Sequence, residues 1–168
     1  MRKIKKALVV KNNRFELGTT ESDSLIQKLI GNFKAGLDYA VVIKGKKPTL
    51  LVPGADKLTF RFNLMAEFSK DTDTIEIFKD TKNLAAIKCV LIDRFTDRKV
   101  GEGRGAAVLG EGGNCKDINS TIKMAEIRAK RDAVLNTFPL RDRFTQDLEA
   151  QVNVPAKVSV NEDGELVV

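Results

Sequence analysis

The chain of 168 residues contains no histidine. That absence alone removes a histidine general base, a histidine-ligated zinc and every histidine-containing catalytic triad, and with them much hydrolase chemistry. Cysteine occurs only at Cys89 and Cys115, too far apart in sequence for a metal knuckle. Cys89 falls in an apolar run where a buried free thiol is expected, and such sparse thiol use fits a reducing cytoplasm. Tryptophan is absent, tyrosine occurs once at Tyr39, and the nine phenylalanines mostly fall on predicted core faces. Stacking of bases on aromatic platforms is therefore not expected to dominate any nucleic-acid contact. The opening MRKIKKALVV starts like a signal peptide, but its apolar stretch ends after four residues at Lys11. No run long enough to cross a membrane follows.

What is present is a 42% hydrophobic composition, enough for one sizeable core, which predicts a single domain over residues 1–150 and a tail over 151–168. The tail is polar, contains Pro155 and carries a turn signal at Asn161–Gly164. It is expected to be partly ordered and able to add a strand to a neighbouring molecule. The net charge of +6 points toward nucleic acid or acidic surfaces and says nothing of fold.

After a basic, strand-like start, Thr20 and Asp23 have capping-box spacing, Leu25, Ile26, Leu29, Ile30 and Phe33 recur with helical period, and Gly36 supplies a stop. Asp38–Ile43 and Thr49–Val52 flank the turn-forming Lys44–Pro48, a small hairpin whose tip carries Lys44, Lys46 and Lys47. Pro53–Asp56 opens a second helix with Leu58, Phe62 and Met65 inward, bearing Lys57 and Arg61. Thr74–Lys79, Leu84–Phe95 and Arg98–Val108 then read as a three-stranded antiparallel meander. In the third strand Gly101, Gly103 and Gly105 strip one face of side chains, which permits close approach by another backbone, and Arg104 projects beside that bare surface. The glycine-rich Leu109–Asn114 is expected to be a mobile or ligand-closing connection.

The segment Asn119–Glu149 carries the most chemistry. Asn119 and Ser120 can cap a helix that Pro139 ends, and a short helix follows. Met124, Ile127, Val134, Leu135 and Phe138 fall on one arc, and Ile122, Ala125, Ala129 and Ala133 lie roughly opposite. The cations Lys123, Arg128, Lys130 and Arg131 share this helix. Pairs at i,i+4, Glu126–Lys130 and Arg128–Asp132, offer an ordinary surface explanation for the flanking ones. Arg131 falls inside the bulky arc, where a guanidinium is costly unless it meets an anion or a carboxylate.

Gly101–Ala106 lacks the Gly-Lys-Ser/Thr of a phosphate loop and the spacing of a dinucleotide fingerprint, which argues against ATP or NAD. Asp71 and Asp73, with Asp93 or Glu102, raise a Mg²⁺ nuclease site, but a solvated turn explains them better. The basic set, if it converges, suits phosphate neutralisation with counterion release. Holding phosphates while leaving bases free offsets strand–strand repulsion, which is the physics of annealing.

The string GLDYAVVIKGKKPTLLVPGADKL (Gly36–Leu58), followed in order by GEGRGAAV, STIKMAEIRAKRDAVLNT and FTQDLE, resembles the Rad-fifty-two-like superfamily of single-strand annealing proteins, including phage Sak-type and DdrA-type members. The likeness spans about residues 20–150. It implies an α+β fold with a β-β-β-α core, the long helix packed on the antiparallel meander beside the small hairpin. It further implies subunits that assemble into rings or helical arrays and grip single-stranded DNA in a basic groove between the strand layer and the hairpin–helix layer. The groove-lining basic pair of that group falls near Lys130–Asp132: Arg131 matches the first position, Asp132 replaces the second, and Lys130 can substitute. Neither metal nor other cofactor is implied.

The resulting expectation is a cytoplasmic, non-enzymatic homo-oligomer that anneals complementary strands in recombination or repair, in a bacterial cell or phage-infected host. An exonuclease or a single-strand binding protein is a possible partner. Phosphate clamps are expected at Arg131, Lys130, Arg104, Lys46 and Lys47, with Lys44, Lys57, Arg61, Lys123 and Arg128 assisting. Rival readings are a passive ring protecting single strands or DNA ends, a metal-dependent nuclease, and a scaffold gripping an acidic partner.

Overall fold

The computed structural model describes residues 19–41 and 46–145, together with the strand residues 159–160 and 166–167. It divides into two compact units, Met1–Asn32 and Phe33–Val168. In the first, helix α1 spans Thr20–Gly31. Its capping box sits one residue earlier than the sequence suggests: the Ser22 N–H donates to Thr19 Oγ1 at 3.1 Å and the Thr19 N–H to Ser22 Oγ at 3.0 Å. The helix also ends before Gly36, at Asn32, whose side-chain amide donates to the Lys28 carbonyl.

The second unit has α+β architecture. Strands β1 (Tyr39–Ala40) and β2 (Thr49–Leu50) pair antiparallel as the small hairpin; the expected tip residue Lys44 lies outside the described residues. Helix α2 (Val52–Arg61) follows, then β3 (Leu64–Lys70), the short α3 (Thr72–Ile77), β4 (Leu84–Asp93), β5 (Arg98–Val108) and the long α4 (Ile118–Thr137). Strands β3, β4 and β5 form the antiparallel meander in that order.

Its first strand is not the one expected. Met65 does not extend α2, because the helix ends at Phe62 and Asn63 takes φ 52, a left-handed turn that asparagine tolerates and that sends the chain into β3. Thr74–Ile77 alternates like a strand yet is helical. Asp71 caps it, accepting from the Thr74 N–H at 3.3 Å and the Thr74 hydroxyl at 2.5 Å, and the cap overrides the period-two pattern.

Helix α4 is capped by Asp117, with Ser120 as the reciprocal partner, and runs to Thr137. It lies across one face of the sheet, mainly over β5 and β4. The contact is a backbone approach. A Cβ built on Gly103 would stand 2.1 Å from the Ala133 nitrogen, and one on Gly105 2.2 Å from the Ala129 nitrogen. Ala125, Ala129 and Ala133 are fully buried against this glycine track, whereas Ile122 of the same row is 40% exposed. On the opposite arc Val134, Leu135 and Phe138 enter the core with Leu50, Leu58 and Leu91, and the Phe138 ring meets Phe62 at 5.0 Å between centroids. Burial of each such side chain contributes roughly 1.5–3 kcal/mol.

Beyond α4, residues 141–143 form a turn, and the rest of the expected short helix, from residue 146 on, lies outside the described residues; Thr145 bridges to the hairpin, its N–H donating to the Pro48 carbonyl and its carbonyl accepting from the Leu50 N–H. The glycine-rich Leu109–Asn114 is tied down rather than free. Glu111 accepts from the Val108 N–H at 3.0 Å and from the Arg128 guanidinium at 2.7 and 3.1 Å. Strands β6 (Ser159–Val160) and β7 (Leu166–Val167) pair with each other as a separate two-stranded sheet.

Candidate nucleic-acid interface

Arg131 stands out among the predicted residues. The helical period that places it in the bulky arc of α4 turns its side chain inward, and it becomes the largest fully buried side chain, 1% exposed. Among the described residues no carboxylate meets it. Nη1 donates to the Leu50 carbonyl at a long 3.4 Å, while Nε and Nη2 have no partner among the described residues. Burial, and next the neighbouring Arg128 charge, pull its pKa down to about 10.

Beside it opens a crevice of about 120 Å³. Val52 and Ala55 from α2, Phe68 from β3, and Glu126, Ile127 and Lys130 from α4 complete its walls. The first turn of α2 contributes its positive end, since it carries no acidic residue and no side-chain cap. The seam thus holds a buried guanidinium with unused donors, and beside it the Glu126 carboxylate and a lysine already engaged by Asp56.

The other predicted cations mostly hold carboxylates. Lys130 is bound to Asp56 at 2.5 Å, Lys57 to Asp38 at 2.6 Å, Arg128 to Glu111, and Arg104 to Asp73 at 2.9 Å with Asp71 3.7 Å away. The expected i,i+4 pairs of α4 give way to these tertiary ones; Asp132 instead accepts from Arg141 and from the Arg104 N–H. Lys46 and Lys123 are exposed, and exposed Lys47 donates to the Arg141 carbonyl at 2.9 Å. Arg61 is exposed on α2.

The set does not gather on one side of a single chain. Because Gly103 and Gly105 face α4, Arg104 between them points from the opposite face of the sheet, toward α3. Arg128 reaches over the β5 side to the Ala106 carbonyl. The structure brings together Arg131 and Lys130, at the seam of α2, α4 and β3.

Asp71 is no solvated turn residue either: it is 3% exposed. Burial pushes its carboxyl up, but the Thr74 hydrogen bonds and the Arg104 and Lys88 charges outweigh that and hold it below the ordinary value. Asp38, fully buried, behaves likewise: hydrogen bonds from Lys57 and the Lys34 N–H outweigh desolvation. Among the described residues no group of three or more acidic or cysteine side chains is placed to hold a metal ion. Cys89 is buried, which raises its thiol to about 11.

The phenylalanines need correction. Phe60 is 88% exposed, and Phe68, Phe78 and Phe95 also stand exposed, so the core claims fewer of them than the sequence pattern suggests. Sequence reasoning also missed Asp56, Glu111 and Asp38 as neutralising partners. Only tertiary packing puts them in reach, although Asp56, just past the first turn of α2, was a visible candidate. No helix of the described residues is long and apolar enough to cross a membrane. Compared with protein-family models, curated proteins and solved structures, the chain matches none.

Proposed function

We propose that this protein binds single-stranded DNA by its sugar–phosphate backbone and anneals complementary strands, as a cytoplasmic homo-oligomer acting in recombination or repair. The observation that carries the reading is Arg131: a guanidinium 1% exposed, with Nε and Nη2 unpartnered, beside a crevice it shares with Lys130 and the α2 terminus. An unpaired buried cation is destabilising by several kcal/mol, and a bound phosphate oxygen relieves that by accepting the idle donors. Exposed Lys46 and Lys47 on the hairpin add further positive charge. The cations held by Asp56, Glu111 and Asp73 join only when phosphate displaces a carboxylate, so they rank below Arg131. Repetition of the crevice in an oligomer would line up phosphates while bases remain free to pair. The nuclease alternative finds less support, because Asp71 is committed to capping α3 and to Arg104.

The test is annealing of complementary labelled oligonucleotides by wild type and by Arg131→Met. Charge reversal is unsuitable here, since a glutamate at a site this buried would itself disrupt folding. Wild type should bind in a strongly salt-dependent manner and accelerate pairing. Arg131→Met should remain folded and lose both properties; undiminished annealing by that variant overturns the assignment. Binding without any acceleration of pairing would favour the passive protector.

A further inference from the structure

The end of the sheet where α2 gives way to β3 carries two rings that the core does not claim. Phe60 is 88% exposed and Phe95 65%. Single apolar side chains on a surface are ordinary, but these two belong to turns held side by side. The Asn63 N–H donates to the Phe60 carbonyl at 3.1 Å, and the Asn63 carbonyl accepts from the Arg94 N–H at 3.2 Å, so the turn after α2 is bonded directly to the turn between β4 and β5. The neighbouring pair of the ladder, Leu64 and Asp93, fixes that register.

The β4–β5 turn is braced from within. Asp93 Oδ1 accepts from the Phe95 N–H at 2.7 Å and the Thr96 N–H at 3.3 Å, the Asp93 carbonyl accepts from the Asp97 N–H at 2.8 Å, and Asp97 takes φ 52, where aspartate is tolerated. Phe95 is therefore shown to solvent on a preformed loop that needs little further ordering to bind. Arginines interleave with the rings: Arg61 follows Phe60, and Arg94 and Arg98 bracket Phe95, all three exposed. Unlike Arg104, Arg128 and Lys130, neither Arg94 nor Arg98 holds a carboxylate among the described residues. Three guanidiniums stand against the two carboxylates of Asp93 and Asp97, and that of Asp93 is engaged by the loop's own N–H groups.

Aromatic faces open to water beside unengaged guanidiniums suit an unstacked nucleobase joined to its phosphate. An apolar protein surface suits them less, because it would strip water from those arginines without pairing them. We infer that the two turns form a base-stacking site for single-stranded DNA, with Phe60 and Phe95 taking nucleobases and Arg94 and Arg98 the adjoining phosphates. The inference rests on the reading that the chain binds single-stranded DNA, and it adds base contacts to the backbone contacts of that reading. Because each ring stacks one base, the site anchors a strand and leaves the other bases free to pair.

The chain has no tryptophan, so Phe60→Trp and Phe95→Trp in the full-length protein each place a single indole reporter at an exposed position. Their fluorescence should be quenched by oligothymidylate and left unchanged by an abasic deoxyribose-phosphate strand of equal length. A double variant, Phe60→Ala with Phe95→Ala, should keep wild-type circular dichroism and particle mass, and bind oligothymidylate roughly five- to a hundredfold more weakly. It should bind the abasic strand like wild type and retain the wild-type salt slope, since no phosphate contact is removed. Salt-dependent binding without quenching, or undiminished affinity of the double variant for oligothymidylate, would overturn the stacking site and leave the backbone reading intact. A fall in particle mass with unchanged affinity per subunit would overturn it in favour of a contact between copies. Wild type that binds neither strand would refute the backbone reading, and this site with it.

Discussion

On the flank of α4 that meets β5, alanines rest on glycines, Asn136, Asp132 and Arg128 reach the strand's outward backbone groups, and Arg128 closes on Glu111. On the flank that meets α2 and β3, a buried guanidinium keeps donors without a partner among the described residues, and a crevice stays open. One helix thus serves two purposes at once. The closed side fixes its position, and that fixity allows the other side to hold a charge in an unfavourable place. Residual polar groups of this kind concentrate where function needs them, because stability elsewhere offsets their cost.

The contrast is broken most severely by filling the glycine track. Gly103→Val puts atoms where the Ala133 nitrogen already stands, and neither backbone can yield, so a loss of at least about 3 kcal/mol or outright unfolding is expected in urea denaturation. On the open flank the sign reverses. Arg131→Met should raise stability by about 1–4 kcal/mol in the same experiment, since an apolar side chain of similar length replaces an uncompensated charge. A drop in stability would mean that Arg131 already has a partner.

Asp71 offers the matching case of a buried charge whose partners are present. Its carboxyl lies below the ordinary 3.8 in the folded protein, so its stabilisation is complete above that value and fades as pH falls through the lower folded one. Asp71→Ala, which also removes the α3 cap, should cost about 1 kcal/mol at neutral pH and flatten the acid limb of the stability curve. An unchanged acid limb would sink that account. The smallest effect belongs to the half-exposed pair: Lys130→Ala should change stability by about 0.2–1 kcal/mol through Asp56, yet weaken oligonucleotide binding and lower its salt slope.

Where the sequence was legible, the reason was local repetition. Glycine at every second place and alanine at every fourth announced a close strand–helix contact, and both fell where expected, on β5 and α4. The inward turn of Arg131 followed from the same helical period. The first strand of the meander was misread because Thr74–Lys79 alternates more cleanly than Leu64–Lys70; the decision rests on Asn63 and the Asp71 cap, single residues whose weight periodicity does not register. The fate of the cations was not legible at all. Lys130 meets Asp56 and Arg128 meets Glu111 only once the fold has brought distant segments together, and Arg104 is sent to the far face by the pleat of its own strand.

The glycine track also decides which parts of the molecule can move. With α4 seated on the β5 backbone, little more than alanine methyls and Thr137 stands between them, so helix and strand travel as one rigid slab. Any widening of the crevice to admit a polymer must come from the other wall, α2 and the hairpin before it. The hairpin's tether to the slab includes the two main-chain hydrogen bonds of Thr145, the Lys47 bond to the Arg141 carbonyl and the Tyr39–Phe144 ring contact. Those bonds then act as the latch, and the stretch just after the long helix sets how readily the jaw opens.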